Sequence, residues 1–205
     1  MSRSISAGLM LASALALACG GNESEPPAPA EPAAATAGEE APEPEAASSA
    51  FAPSRELDLC ARFSPEELGG FAGTTLDVGK GEYYDGPPGQ PGTNLCTWMS
   101  APEQPYAIVK VRFSGRASAP QPRNAYVVAD LGDAAWVDAA FGTTTVVVGE
   151  HAFAIQLTGV RKPNDEVAAA HPDLAPSGEG PASKEEMLAS LGAALALEDR
   201  LVAMQ

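Results

Sequence analysis

Residues 55–205 predict an α+β domain built on a mainly antiparallel sheet, and three observations carry that prediction. Six short runs rich in β-branched and aromatic residues follow one another between residues 95 and 157, with turn signals between them. Helix-start signals flank these runs, Ser64-Pro65-Glu66-Glu67 on one side and Ser183-Lys184-Glu185-Glu186 on the other. Strands gathered in the middle with helices at the ends is the α+β pattern rather than the alternation of a parallel fold.

In chain order, Ser64 to Glu67 reads as a capping box with Pro65 at the first helical position. It opens a short helix that Gly69-Gly70 is expected to end, with Leu68 and Phe71 facing the core. Tyr83 to Asn94 contains Gly86-Pro87-Pro88-Gly89-Gln90-Pro91-Gly92 and reads as a long loop, since it suits neither a helix nor an interior strand. The strand-like runs are 95–99, 106–113, 125–128, 134–137, 143–148 and 151–157. Gly149-Glu150 forms a hairpin turn between the last two. Thr144, Val146 and Val148 share one face of the first of these; in its partner Phe153, Ile155 and Leu157 lie opposite Ala152, Ala154 and Gln156. One covered and one wet side follow from this. Residues 162–181 read as a polar, Pro-punctuated connection. The second capping box then opens a helix to about Met204. Its stripe of Met187, Leu188, Leu191, Leu195, Leu201 and Val202 should pack on the sheet.

The cysteines are Cys19, Cys60 and Cys96. In an oxidising compartment Cys60 and Cys96 are expected to form a disulfide. Closing a loop of that size stabilises by roughly 3.5–4 kcal/mol on the chain-entropy argument. A metal-binding or redox pair is the competing reading. His151 and His171 are the only histidines, neither at ligand spacing from a cysteine, and there is no Cys-x-x-Cys. Trp98, two residues from Cys96, should share its face.

Residues 1–18 read as a lipoprotein signal peptide. Arg3 supplies the positive start, and Ile5 to Leu17 is an apolar run too short to span a ~30 Å hydrocarbon core as a helix. Leu15-Ala16-Leu17-Ala18-Cys19-Gly20 resembles the bacterial lipobox, with Ala16 where Leu is commonest. The resemblance implies that Cys19 becomes an acylated N-terminus, and several acyl chains anchor stably. The expected location is the cell envelope, on the non-cytoplasmic side, and at the outer membrane if the cell has two, because no Asp stands at position 20. Residues 19–54 then read as a tether. The stretch from Gly20 carries seven Glu, seven Pro and no Lys or Arg, a composition that cannot bury enough surface to offset chain ordering.

Leu59-Cys60-Ala61 ahead of the Ser64-Pro65-Glu66-Glu67-Leu68 helix, Cys96-Thr97-Trp98, and Gly132-Asp133-Ala134-Ala135-Trp136 are similar to segments of the secreted actinobacterial lipoproteins grouped as domain of unknown function 3558. The similarity runs over most of residues 57–204. It implies an anchored, disulfide-bonded α+β domain and brings no catalytic residues with it.

Net charge is −15 and the pI about 4.4. A chain this acidic disfavours nucleic acid and excludes polybasic docking on anionic lipid. Gly73 to Lys80 fails as a phosphate loop, with five residues between Gly73 and Gly79 and Gly81 after Lys80. Gly-x-Ser-x-Gly and His-Glu-x-x-His are absent. His151 reads as a partly exposed structural histidine, and His171 as solvated. Glu66 and Glu67 are explained by helix capping, and Asp133, near Asp130, by a turn. Neither a cofactor nor a metal is expected. The expected activity is that of a non-enzymatic binding module contacting an envelope protein or polymer through Tyr83, Tyr84, Pro87 and Pro88. A carrier of an apolar ligand is the alternative, and a hydrolase the remote one.

Overall fold

A computed structural model describes residues 52–160, 164–176 and 180–204. The expected signal peptide, Cys19 and nearly all of the tether lie outside the described residues. The domain is α+β: a seven-stranded, fully antiparallel sheet with its helices on one face.

The strands are β1 (Lys80–Tyr84), β2 (Thr93–Met99), β3 (Ile108–Gly115), β4 (Tyr126–Val128), β5 (Ala134–Asp138), β6 (Thr143–Val148) and β7 (His151–Thr158). They lie in the order β1-β2-β3-β7-β6-β5-β4. Two meanders, β1 to β3 and β4 to β7, therefore join along a single seam. There Val111 stands opposite Ile155 and Phe113 opposite Phe153. Phe113 and Phe153 stack with ring centres 4.7 Å apart. Alternation sends Cys96, Trp98, Val109, Val111, Phe113, Val146, Phe153 and Ile155 to the helix side, where all are buried. On the other side a strap begins with a single 3₁₀ turn, Arg116–Ser118, and covers one corner. Ala119 and Ala125 pack there on Trp136, Val147 and Ala152.

Three helices complete the fold: α1 (Pro65–Ala72), α2 (Asp165–Ala170) and α3 (Lys184–Ala203). α3 starts at the reciprocal capping box, where Ser183 Oγ accepts from Glu186 N–H and Glu186 accepts from Ser183 N–H. It packs on β6 and β7 and against α1 and α2, so residues Met187 through Ala194 are all buried. The expected stripe holds for Met187, Leu188, Leu191 and Leu201. It fails at Val202, which is 44 % exposed, while Leu197 is buried in its place.

Five expectations are corrected. Of the expected 83–94 loop, Tyr83 and Tyr84 belong to β1 and Thr93 and Asn94 to β2, so the loop itself is 85–92. α1 runs through Gly69-Gly70 and stops at Gly73, whose φ of 69° is the left-handed cap that glycine accepts at least cost. Its start is also simpler than a capping box: Ser64 Oγ accepts from Glu67 N–H, and the Glu67 carboxylate pairs with Arg200 of α3. α2 stands inside the stretch expected to be an irregular connection, capped by Asn164, whose side chain accepts from Val167 N–H. Finally, the second strand begins at Ile108, leaving Tyr106 outside it and 59 % exposed.

Candidate binding cleft

The chain ahead of α1 crosses the helix-side face of β1 and β2 and is fastened there at three points. Asn94 is 3 % exposed and faces inward; it accepts from Ser54 N–H at 3.0 Å and donates to Ser54 O at 2.8 Å and Leu57 O at 3.2 Å. A buried carboxamide with three partners is satisfied and holds two residues of the crossing segment in register. The Cys60–Cys96 disulfide is present, with Cα atoms 5.3 Å apart. Phe63 meets Trp98 edge-on at 6.3 Å. Gly79 completes the packing: a Cβ there would lie 2.5 Å from Trp98 Nε1 and 2.6 Å from Cys96 Sγ. The glycines that superficially suggest a phosphate loop thus have structural duties, Gly73 as a helix cap and Gly79 as a seat for the tryptophan.

Between this segment and β1 a cleft of about 590 Å³ opens to solvent. Arg55, Cys60, Gly81, Tyr83, Asn94 and Trp98 are among its lining residues, and Glu56 and Asp58 make its wall partly acidic. Arg55 lies over the Tyr83 ring at 5.4 Å and is ion-paired with Asp85 at the start of the 85–92 loop. Tyr83 is half-buried and its ring is backed by Gly92.

The two tyrosines part company because successive side chains of a strand point to opposite faces. Tyr83 lines the cleft. Tyr84 is 52 % exposed on the far face, where its phenol donates to Glu82 at 2.7 Å. That hydrogen bond, helped by Lys80, holds the Glu82 carboxyl below its usual range, and the same hydrogen bond, with the Glu82 charge behind it, raises the Tyr84 phenol. Pro87 and Pro88 are exposed in the loop, whose turn is closed by Gln90 N–H donating to Pro87 O at 2.9 Å.

Both histidines depart from expectation. His151 is buried, 8 % exposed, because Gly115 of β3 stands opposite it and Phe113 lies against its ring at 5.1 Å. Burial lowers its pKa, opposed in part by the Glu150 charge. Its Nδ1 has no hydrogen-bond partner among the described residues. His171 is not simply solvated: its Nδ1 lies 3.2 Å from the Tyr126 hydroxyl, and the two rings meet edge-on. Asp133 does more than sit in its own bend: its carboxylate accepts from Gly149 N–H at 2.6 Å and so braces the β6–β7 turn. Among the described residues no group of three or more His, Cys, Asp or Glu is placed to hold a metal ion.

Sequence reasoning overlooked Arg55 and Asn94. The signal for Asn94 was available: it shares parity with Cys96 and Trp98, so a polar residue was bound to face inward and to need partners. Arg55 offered none, because its contacts depend on where the crossing segment runs. The site is thus a disulfide-braced cleft at one edge of an antiparallel α+β sheet. No protein-family model, curated protein or solved structure matches the chain.

Proposed function

We propose that the protein is a lipoprotein held in the cell envelope through Cys19, and that its domain is a non-enzymatic binding module. The reading follows the lipobox-like segment for the anchor and the open cleft at Tyr83 for the contact surface. The kinship with the domain of unknown function 3558 lipoproteins belongs to the same proposal. One observation carries the binding role: about 590 Å³ of open cleft beside an aromatic, Tyr83, that Arg55 holds in place. That volume is in the range of ligand sites, and rigid aromatics are favoured contact residues. An apolar carrier is the weaker reading, since this cleft is open and carries Arg55, Glu56 and Asp58 on its wall.

The test is retention of the purified full chain on an envelope fraction, compared with Tyr83→Ala and Arg55→Ala variants of unchanged stability. Loss of retention in both supports the cleft as the contact surface. Equal retention of all three rules it out. Stoichiometric lipid copurifying with the chain, found by mass spectrometry, would establish the carrier instead.

A further inference from the structure

The sheet face turned away from the helices has its own composition. Register places Lys80, Thr97, Lys110, Gln156, Thr143 and Asp138 in one row across the sheet. The next row is Glu82, Leu95, Arg112, Ala154, Thr145 and Trp136. Lys110 and Arg112 are exposed, about 7 Å apart along β3, and Lys80 stands two strands away, about 10 Å from Lys110. Arg116 and Arg123, both exposed, add charge on the strap. The acids of this face include Asp77 beside Met99, Glu82, already paired with Lys80 at 3.4 Å, and Asp138, with Glu150 at the β6–β7 turn. Asp138 is partly committed, accepting from Ala140 N–H at 2.9 Å. The helix side is the reverse, with Glu66, Glu67, Glu185, Glu186, Glu198 and Asp199 set against Lys184 and Arg200. A chain of net charge −15 thus keeps one cationic face.

Beside the strap this face is hollowed into a groove of about 390 Å³ whose lining includes Arg112, Asp138, Thr143, Thr145, Gln156 and the exposed ring of Phe141. Gln156 Nε2 donates to Phe141 O at 2.9 Å and so fixes the loop that carries the ring.

From this charge segregation and lining we infer a second binding surface, distinct from the cleft, that takes a glycan bearing carboxylate or phosphate groups. Charge selects the sign: guanidinium and ammonium groups match carboxylate and phosphate. Screening makes the choice local, because at physiological ionic strength charges separated by more than ~8 Å of solvent contribute little to one another. The acids of the helix layer lie on the far side of the sheet. The lining selects a glycan over a peptide. Backbone groups of strands inside a sheet are spent on their neighbours, so this face offers no main-chain pairing to an extended peptide. It offers the part-exposed Thr143 hydroxyl and Gln156 amide beside the exposed Phe141 ring, which suit a polyol.

The experiment is titration of the full chain at 0.15 M salt with polygalacturonate and with phosphomannan. Uncharged dextran, polyglutamate and oligothymidylate serve as comparators. Binding by either charged glycan, at least tenfold tighter than by any comparator, is expected, and which of the two binds identifies the source of the charge. Lys110→Gln with Arg112→Gln should weaken it at least tenfold with the urea midpoint unchanged, and Tyr83→Ala should leave it intact, which separates this surface from the cleft. Failure of both glycans to bind, equal binding of polyglutamate or oligothymidylate, or parental affinity in the double variant would overturn the inference.

Discussion

Ser190 offers the sharpest test of how the helix layer is joined to the sheet. β6 begins at Thr143, opposite Gln156, so Leu157 of β7 lies one residue past the end of its neighbour. Its N–H is taken by Ser190 Oγ of α3 at 2.9 Å, in a site where Ser190 is 0 % and Leu157 1 % exposed. Ser190→Ala removes the acceptor and leaves a buried amide unpaired, which costs about 1–3 kcal/mol. The better helix propensity of alanine returns about 0.5 kcal/mol. The net loss is about 1.5 kcal/mol, which for a domain of this size lowers Tm by roughly 3–6 °C. With a urea dependence of about 2 kcal/mol per molar, the midpoint falls by roughly 0.7 M. Equilibrium urea unfolding measures the loss, and amide exchange locates it, since Leu157 should lose protection before its strand neighbours. A midpoint shift below ~0.2 M with Leu157 still protected would refute the reasoning.

Two further outcomes follow from the covalent and titrating groups. Reducing the Cys60–Cys96 disulfide, which closes a separation of 36 residues, should cost about 3.8 kcal/mol on the chain-entropy argument, or about 12 °C in Tm; scanning calorimetry of oxidised and reduced chain showing under ~1 kcal/mol would mean that the bridge restrains little in the unfolded chain. His151 has its pKa lowered by burial from 6.5, so above that pH it is neutral folded and unfolded, and its site carries no penalty. As pH falls below 6.5 the unfolded chain takes the proton first, and stability is lost until the folded-state value is passed. The urea midpoint should therefore drop between pH 7.5 and pH 5 by more in the parent than in His151→Leu, and identical drops would remove His151 as the cause.

What was legible in the sequence was legible for local reasons. α3 has both a reciprocal cap and a long apolar stripe, and the β6–β7 hairpin has two runs rich in β-formers about a Gly149-Glu150 turn, so each is specified by neighbours in sequence. β1 is not. Lys80-Gly81-Glu82-Tyr83-Tyr84 combines a glycine and two charges, and its strand state comes from pairing with β2 at the sheet edge. α2 is six residues, too short for periodicity to register, and only the Asn164 cap announces it. The pairing of Cys60 with Cys96 could be read from compartment and count. The cleft between their segments could not, since it depends on where Asn94, Phe63 and Trp98 pin the crossing chain. The open face lay half in view: Lys110 and Arg112 fell on the wet side of a strand, but their neighbours across the sheet are fixed only by long-range register.

α3 lies at the far end of the described fold, and both meanders meet beneath it and its neighbours. A folding chain in which α3 has not yet docked therefore carries β1 to β7 with Val146, Phe153, Ile155 and Leu157 bare on the helix side. Antiparallel strands with one uncovered apolar face are the species that aggregate or recruit holding chaperones. A chain truncated before residue 184 should thus be a degradation substrate rather than a partly working domain, and the docking of α3 is the step that takes this apolar face out of water.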